Sequence, residues 1–467
     1  MTTPSRDHAL VLGAGMAGLL AARVLAEAYD RVTIVDRDQL PDHAAQRRGV
    51  PQGWHVHALL ARGLQAMEEL FAGLTADLIA HGAPSGDVLG DACLHLGGHQ
   101  LRRTHTGLTV ISVSRPFLEQ HVRQRVRALP GVSFAAPSDV VGLAATPDAR
   151  RIVGAKILRR ADGSAEETID ADLVVDATGR GSRTPLWLAA LGYERPPEDR
   201  VPIDLGYTTR RYRLRPDALG GDLGTLHGPT PSCPRGGVLA RLEGEEWMLT
   251  LFGLNGDHPP TQPDGFVEFA RSMPFADIYQ AIRLADPVDD PVAYRFPTSR
   301  RRRYERLTRF PEGLIVLGDG VCSFNPVYGQ GISIAAIEAL IVRDHMKRRR
   351  PPGTGQLRAR LAGVIRTPWN MAIAGDLAIP GVQGQRTPKV RAANSYLSRV
   401  LAAAADDTTV ADAFVRVSGL VDPPSALLRP RVALRLLGHR RPALDAAAPA
   451  PGVLGQRPVD TRPEHTR

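Results

Sequence analysis

The chain has 467 residues, enough for two or three domains with a sizeable core, and its 43% hydrophobic and 23% charged residues are close to soluble globular averages. Its 58 Lys and Arg against 49 Asp and Glu give a net charge of +9, but these residues are spread out. Short basic clusters occur at Arg300–Arg303 and Lys347–Arg350, read as solvated strand or helix ends, and no nucleic-acid-reading module is present. Three distant cysteines, Cys93, Cys233 and Cys322, suggest neither a disulfide framework nor a CxxC metal site, so no metal ligands are assigned. They fit a reducing cytoplasm. No apolar run of transmembrane length and no cleavable leader is read.

In chain order, His8–Gly13 (HALVLG) predicts a short buried strand. Gly13-Ala14-Gly15-Met16-Ala17-Gly18 follows as GxGxxG and opens an Ala- and Leu-rich helix. Arg31–Arg37 (RVTIVDR) is a second strand carrying Asp36, 36 − 13 = 23 positions after the first glycine. That is the context of a dinucleotide fingerprint. Gly13 permits the tight turn, Gly15 lets a pyrophosphate approach the backbone, and Gly18 lets helix and strand pack closely. The helix start favours phosphate, and Asp36 can accept from ribose hydroxyls. The motif alone does not separate NAD from FAD.

His55 and His57 are read as packing groups, since no carboxylate stands near them in sequence. If helical, two positions apart, they would not share a face. Arg151–Arg160 and Thr168–Val175 are strands around an Asp162-Gly163 turn, leading into Asp172–Gly179 (DLVVDATG). Residues 195–300 are strand-rich, notably Val201–Leu214 and Gly237–Phe252, with helical stretches at Gly265–Ser272 and Phe275–Leu284. Leu314–Asp319 is another buried strand, ending in Gly318-Asp319. Pro326 and Gly329 mark a turn, and from Gly331 a helix is apolar nearly all round. Asp319 can hold a ribityl hydroxyl, and the N–H groups of Gly329–Ile332 can face an anionic flavin edge. Thr367–Val400 reads as helix with a break at Pro380-Gly381. Leu427–Arg441 reads as a solvated helix or loose tail, with contact to a membrane surface the less favoured alternative. The last 20 or so residues read as disordered.

The pairing of GxGxxG…Asp36-Arg37 with GDG…NPVYGQGI resembles the group A FAD-dependent monooxygenases, the p-hydroxybenzoate hydroxylase-like superfamily. Arg47-Arg48-Gly49-Val50-Pro51-Gln52 followed by WHVHALL is similar to bacterial polyether epoxidases related to squalene epoxidase. The resemblance covers about residues 8–375. It implies an α/β fold: a Rossmann-like FAD-binding domain of the GR2 type (1–194 and 296–375), an inserted β-sheet substrate domain (195–295), and a helical C-terminal region with a loose tail (376–467). It also implies that Asp36 and Arg37 hold the adenosine end, that Arg48 lies along the flavin, that Arg115 contacts the cofactor, and that Asp319 and Ile332 meet the ribityl chain and ring. The implied reaction moves one oxygen of O2 from a C4a-hydroperoxyflavin to an alkene of a hydrophobic polyene. Aromatic hydroxylation is the nearest variant, and no catalytic side chain is assigned. Asp176-Ala177-Thr178-Gly179 departs from the Gly-Ala-Asp-Gly of ordinary hydroxylases and resembles geranylgeranyl reductases and flavin halogenases. It puts direct NADPH binding in doubt and leaves room for a separate flavin reductase. None of the four tryptophans sits in a halogenase WxWxIP segment.

Overall fold

The computed structural model describes residues 6–439, apart from 162, 216 and 349–352. Asp162 of the expected turn, the last two residues of the Lys347–Arg350 cluster and the tail beyond His439 lie outside the described residues.

The first strand, His8–Leu12, is buried along its whole length. Ala9 and Val11 face one core and Leu10 and Leu12 the other, as a strand covered on both sides requires. It is the centre of a five-stranded sheet ordered Leu314–Val316, Leu173–Asp176, His8–Leu12, Arg31–Val35, Val132–Ala135, and every pairing is parallel. On one face the helix Met16–Leu25 packs beside Gly331–Met346. On the other lies an antiparallel three-stranded sheet, Ser138–Ala145, Ile152–Arg159 and Glu166–Asp170.

A second, mixed sheet is built around Glu198–Arg213, Arg235–Arg241, Trp247–Gly253 and Val292–Arg302. It also recruits Cys93–Leu96 and Cys322–Ser323 from outside residues 195–295. Its outer face carries Trp247, Leu249 and Leu251 beneath the helices Pro263–Arg271 and Asp277–Ile282. Its inner face carries Tyr207 and Phe252, packed with Leu377, Ile379 and Val382.

Two readings from the sequence are corrected. Arg300–Arg303 sits at a strand end but is not solvated: Arg301 and Arg302 are buried, and donate to Ala362 O and Gly320 O. Carbonyls far away in sequence thus take one guanidinium nitrogen of each, although Nε and Nη1 of Arg301 stay without a partner among the described residues. The Leu427–Arg441 stretch, read as a solvated helix or loose tail, is helical over most of its described part but packed on one face rather than solvated all round. Pro430–Gly438 is a helix whose Val432 and Leu436 are buried against Val410 and Val415, although Leu434 and Leu437 stay exposed. Among the described residues no helix is long and apolar enough to cross a membrane.

Candidate functional site: a two-ended cofactor cleft

The glycine fingerprint forms one end of the cleft. Gly13 has φ +101°, and a Cβ there would meet Ala177 O at 2.6 Å. A Cβ on Gly18 would lie 1.8 Å from Gly13 O, whereas one on Gly15 would meet nothing within 4 Å. Gly15 therefore faces open space at the start of a helix that has no side-chain cap and no acid in its first turn. Its first N–H groups and positive dipole end are free for an anion. Ala14 and Met16 are buried beneath, and Ala17 packs against Gly318.

Asp36 closes this end. Its carboxylate accepts from Ala14 N at 2.6 Å and Asp38 N at 2.8 Å. Burial raises its pKa, against the opposing pull of Arg47 and these N–H groups. Arg37 and Arg48, both expected at the cofactor, are exposed, and Arg48 has no polar partner among the described residues. Arg47 is the arginine that turns inward. It contacts Asp36 at 3.3 Å, Asp38 at 3.2 Å and Glu119 at 2.6 Å. Glu119 also holds Arg115 at 3.0 Å and Arg123 at 3.4 Å. Burial would raise the Glu119 pKa, but Arg115 and Arg47 hold it below the ordinary range. This buried chain of charges runs from Asp36 to Arg115.

The late strand Leu314–Val316 forms the other end. It leads into the Gly318–Gly320 turn, fixed by Glu338, which accepts from Gly318 N at 2.8 Å, and by Arg302 on Gly320 O at 2.8 Å. Asp319 is half-buried with no hydrogen-bond partner among the described residues. Burial raises its pKa, while Arg180, Arg115 and Arg300 pull it down. Gly329 has φ +64°, and a Cβ there would strike Ala58 at 2.6 Å. Gly331, the first residue of the helix Gly331–Met346, faces open space. That helix also lacks a side-chain cap and an acidic first turn. Ile332 is buried behind it.

Two open, uncapped helix starts, each beside a carboxylate, fit a long dinucleotide with an anionic centre. The first start suits the pyrophosphate, Asp36 the ribose hydroxyls, Asp319 the ribityl chain and the Gly331 start the flavin's anionic edge. Asp176 of the Asp-Ala-Thr-Gly segment accepts from Thr178, Ser182 and Thr184 hydroxyls. It folds the turn that carries Arg180 rather than reaching the cleft.

Beside Asp319 the inner face of the second sheet carries an aromatic cluster that the sequence did not disclose. Tyr207 and Tyr294 rings flank His55 with centroids 5.6 Å away. Arg180 lies 4.1 Å over the Phe296 ring. His55 and His57 are not helical: the chain is extended after the Pro51–Trp54 turn. His55 Nδ1 is 2.7 Å from Thr209 Oγ1, which is 2.6 Å from Thr250 Oγ1, and Thr250 accepts from Val56 N at 2.9 Å. With that lone pair filled, the chain satisfying both hydroxyls runs Thr250 to Thr209 to His55 Nδ1 and leaves the proton on Nε2. Nε2 is buried without a partner. Burial lowers the His55 pKa to about 4, so the ring is neutral. Near Tyr207, Asp376 accepts from Asn325 Nδ2 at 2.7 Å and Tyr328 Oη at 3.0 Å, and burial pushes its pKa to about 7.

Fold and cleft together define a flavoprotein, and the comparisons agree. Residues 7–201 match the family described as FAD binding domain. Protein Rv3254 of Mycobacterium tuberculosis is 38% identical over 436 residues, covering 89% of this chain and 90% of that protein. Kynurenine 3-monooxygenase of Salinispora arenicola is 27% identical over 368 residues, 76% and 75% of the two chains. Among solved structures, the flavin-dependent brominase Bmp2 shares the fold at TM-score 0.62 and 14% identity, over 88% of this chain and 94% of that one. The chain belongs to the same family as Protein Rv3254, and its residues 7–201 carry an FAD binding domain.

Proposed function

We propose that this enzyme transfers one oxygen atom of O2 to a hydrophobic substrate, and that its reaction is the epoxidation of an alkene in a polyene natural-product intermediate. The observation that carries this reading is the aromatic face beside Asp319. It is made of Tyr207, Phe252, Tyr294 and Phe296, packed with Leu377 and Ile379. Its histidine and phenols are uncharged at neutral pH, since His55 titrates near 4 and burial raises the Tyr207 and Tyr294 phenols, while Asp376 titrates near 7. Such a lining suits an apolar substrate, and an electron-rich alkene needs no anionic base. The chemistry FAD supplies when bound is the two-electron activation of O2. The protein's part is to hold the substrate, keep water out and place Arg180 and the Gly331 helix start where negative charge develops.

Aromatic hydroxylation is the second reading. The relatives named kynurenine 3-monooxygenase favour it, as does His55, whose Nε2–H could bind a phenolic or carbonyl oxygen between two tyrosine rings. Halogenation is disfavoured by the lysines. Lys156 and Lys347 are spent on surface ion pairs and Lys389 is exposed, so none lies on the aromatic face. The electron donor is proposed to be NADPH or a separate flavin reductase, and the setting is proposed to be the cytoplasm.

The test is product mass under 18O2 with a panel of polyenes and phenols, in wild type and His55→Phe. Polyene epoxides carrying one labelled oxygen, formed equally by both proteins, support the first reading. Phenols that turn over only with His55 present support the second. A gain of two hydrogens without oxygen would place the enzyme with the prenyl reductases instead.

A further inference from the structure

The outer face of the second sheet, turned away from the cofactor cleft, holds a cluster that the flavin chemistry does not use. Cys93 and His95 alternate on the strand Cys93–Leu96, so both point to one face. The neighbouring strand Gly224–His227 runs parallel to it, with Thr225 opposite Cys93 and His227 opposite His95. Asp277, the first residue of the helix Asp277–Ile282, is set down over these four side chains. Cys93 Sγ is 3.3 Å from His95 Nε2, which is 3.2 Å from Asp277 Oδ2. The three ligand atoms all lie within 4.8 Å of one another.

We propose that Cys93, His95 and Asp277 form a binding site for a divalent metal ion of the zinc class. Around a tetrahedral zinc, thiolate, imidazole and carboxylate atoms stand about 3.3–3.6 Å apart, as expected from bonds of about 2.0–2.3 Å, and both short distances here are near that spacing. A thiolate beside imidazole and a single carboxylate selects zinc over magnesium or calcium, which take oxygen ligands. The carboxylate is held from behind. Thr225 donates to Asp277 Oδ2 at 2.7 Å, and His227 Nε2 lies 2.5 Å from Oδ1. That is the supporting shell a ligating carboxylate needs. Both buried imidazoles turn Nε2 toward the Asp277 carboxylate. Phe275 covers the rings, 4.0 Å from His95 and 5.6 Å from His227. Cys93 stays half-exposed and gives an ion its way in. The fourth coordination place falls to water. A bound ion would fasten the Cys93–Leu96 strand and the Asp277 helix to the same sheet.

A second grouping, Asp77, His81 and His121, differs because Arg125 already sits on Asp77 Oδ2 at 2.8 Å. A resident cation thus fills the place an ion would take.

The experiment loads the purified full-length, FAD-reconstituted chain with Zn2+, and separately Co2+, after chelator treatment, with metal content measured by mass spectrometry. The expected result is one ion per chain and a sulfur-to-cobalt charge-transfer band. In Cys93→Ser that band disappears and zinc affinity falls at least 10-fold, while FAD content stays unchanged. Asp277→Asn weakens zinc by a similar factor, and Asp77→Asn leaves it unchanged. Zinc content below one-tenth of an ion per chain, or stoichiometric binding untouched by Cys93→Ser and Asp277→Asn, overturns the proposal.

Discussion

Gly15 and Gly18 are three positions apart in one motif, and the structure assigns them opposite failures when each becomes alanine. At Gly15 the backbone has φ −75°, which alanine adopts freely, and the added Cβ meets nothing within 4 Å. The apoprotein should fold with its melting temperature unchanged within about 1 °C, since unstrained surface changes stay within about 0.5 kcal/mol. The methyl group instead occupies the space the pyrophosphate must enter. Pushing a phosphate oxygen off one helix N–H loses a hydrogen bond to a charged group, about 1.5–3 kcal/mol. The FAD dissociation constant should therefore rise about 10- to 100-fold. At Gly18 the Cβ would sit 1.8 Å from Gly13 O, against a comfortable carbon–oxygen contact of about 3.3 Å. The helix must retreat from its strand by roughly 1.5 Å, and overpacking of this kind costs about 1–3 kcal/mol or more. Gly18→Ala should lose stability before binding is even considered. The assay is thermal melting of both apoproteins, followed by flavin-fluorescence titration. Wild-type FAD affinity in Gly15→Ala would show that the pyrophosphate does not lie over Gly15, and an unshifted melt for Gly18→Ala would refute the packing argument.

Glu119→Ala strips Arg47, Arg115 and Arg123 of their shared buried carboxylate. It should cost about 3–5 kcal/mol by chemical denaturation, and a loss under about 1 kcal/mol would contradict the network. Asp319→Ala removes the acceptor for the ribityl chain and should weaken FAD by roughly 10- to 100-fold with little change in the apoprotein melt, checked by the same titration. Burial pushes Glu338 to about 8 and Asp376 to about 7, above their unfolded values of 4.5 and 3.8. The folded chain therefore binds more protons than the unfolded one over that range, and both groups withdraw stability as pH climbs from about 4 to 8. Glu338→Gln keeps an acceptor for Gly318 N but removes the titration. Relative to wild type it should gain stability between pH 5 and 8, on the order of a few kcal/mol. Parallel pH profiles for the two proteins would count against the burial of a protonated Glu338.

Much of the cofactor cleft was legible because short-range chemistry writes it. A strand, three glycines, a helix and a terminal acid within the 29 residues His8–Asp36 leave few other folds, and Gly318-Asp319 before a largely apolar helix repeats the pattern at the far end. That Arg47 rather than its neighbour turns inward was not legible. Two adjacent arginines carry the same signal, and only Glu119, 72 positions away, decides which turns inward. A clue did exist in Arg115 and Glu119, spaced i,i+4 on one helix face. Arg301 and Arg302 looked solvated because their carbonyl partners, Ala362 and Gly320, are 61 and 18 positions away. The same distance effect hid the aromatic cluster, where His55 meets Thr209 across 154 positions, and the Cys93–His95–Asp277 cluster, where His95 meets Asp277 across 182.

The central claim is that one FAD lies between the Gly13–Gly18 turn and the Asp319–Gly331 end. It is tested most directly by the absorbance spectrum of the purified chain, before and after addition of FAD, with the heat-released cofactor identified by mass. The account predicts flavin bands and one FAD per chain. A colourless protein that takes up no added FAD, or one that releases NAD or NADP instead, would contradict it.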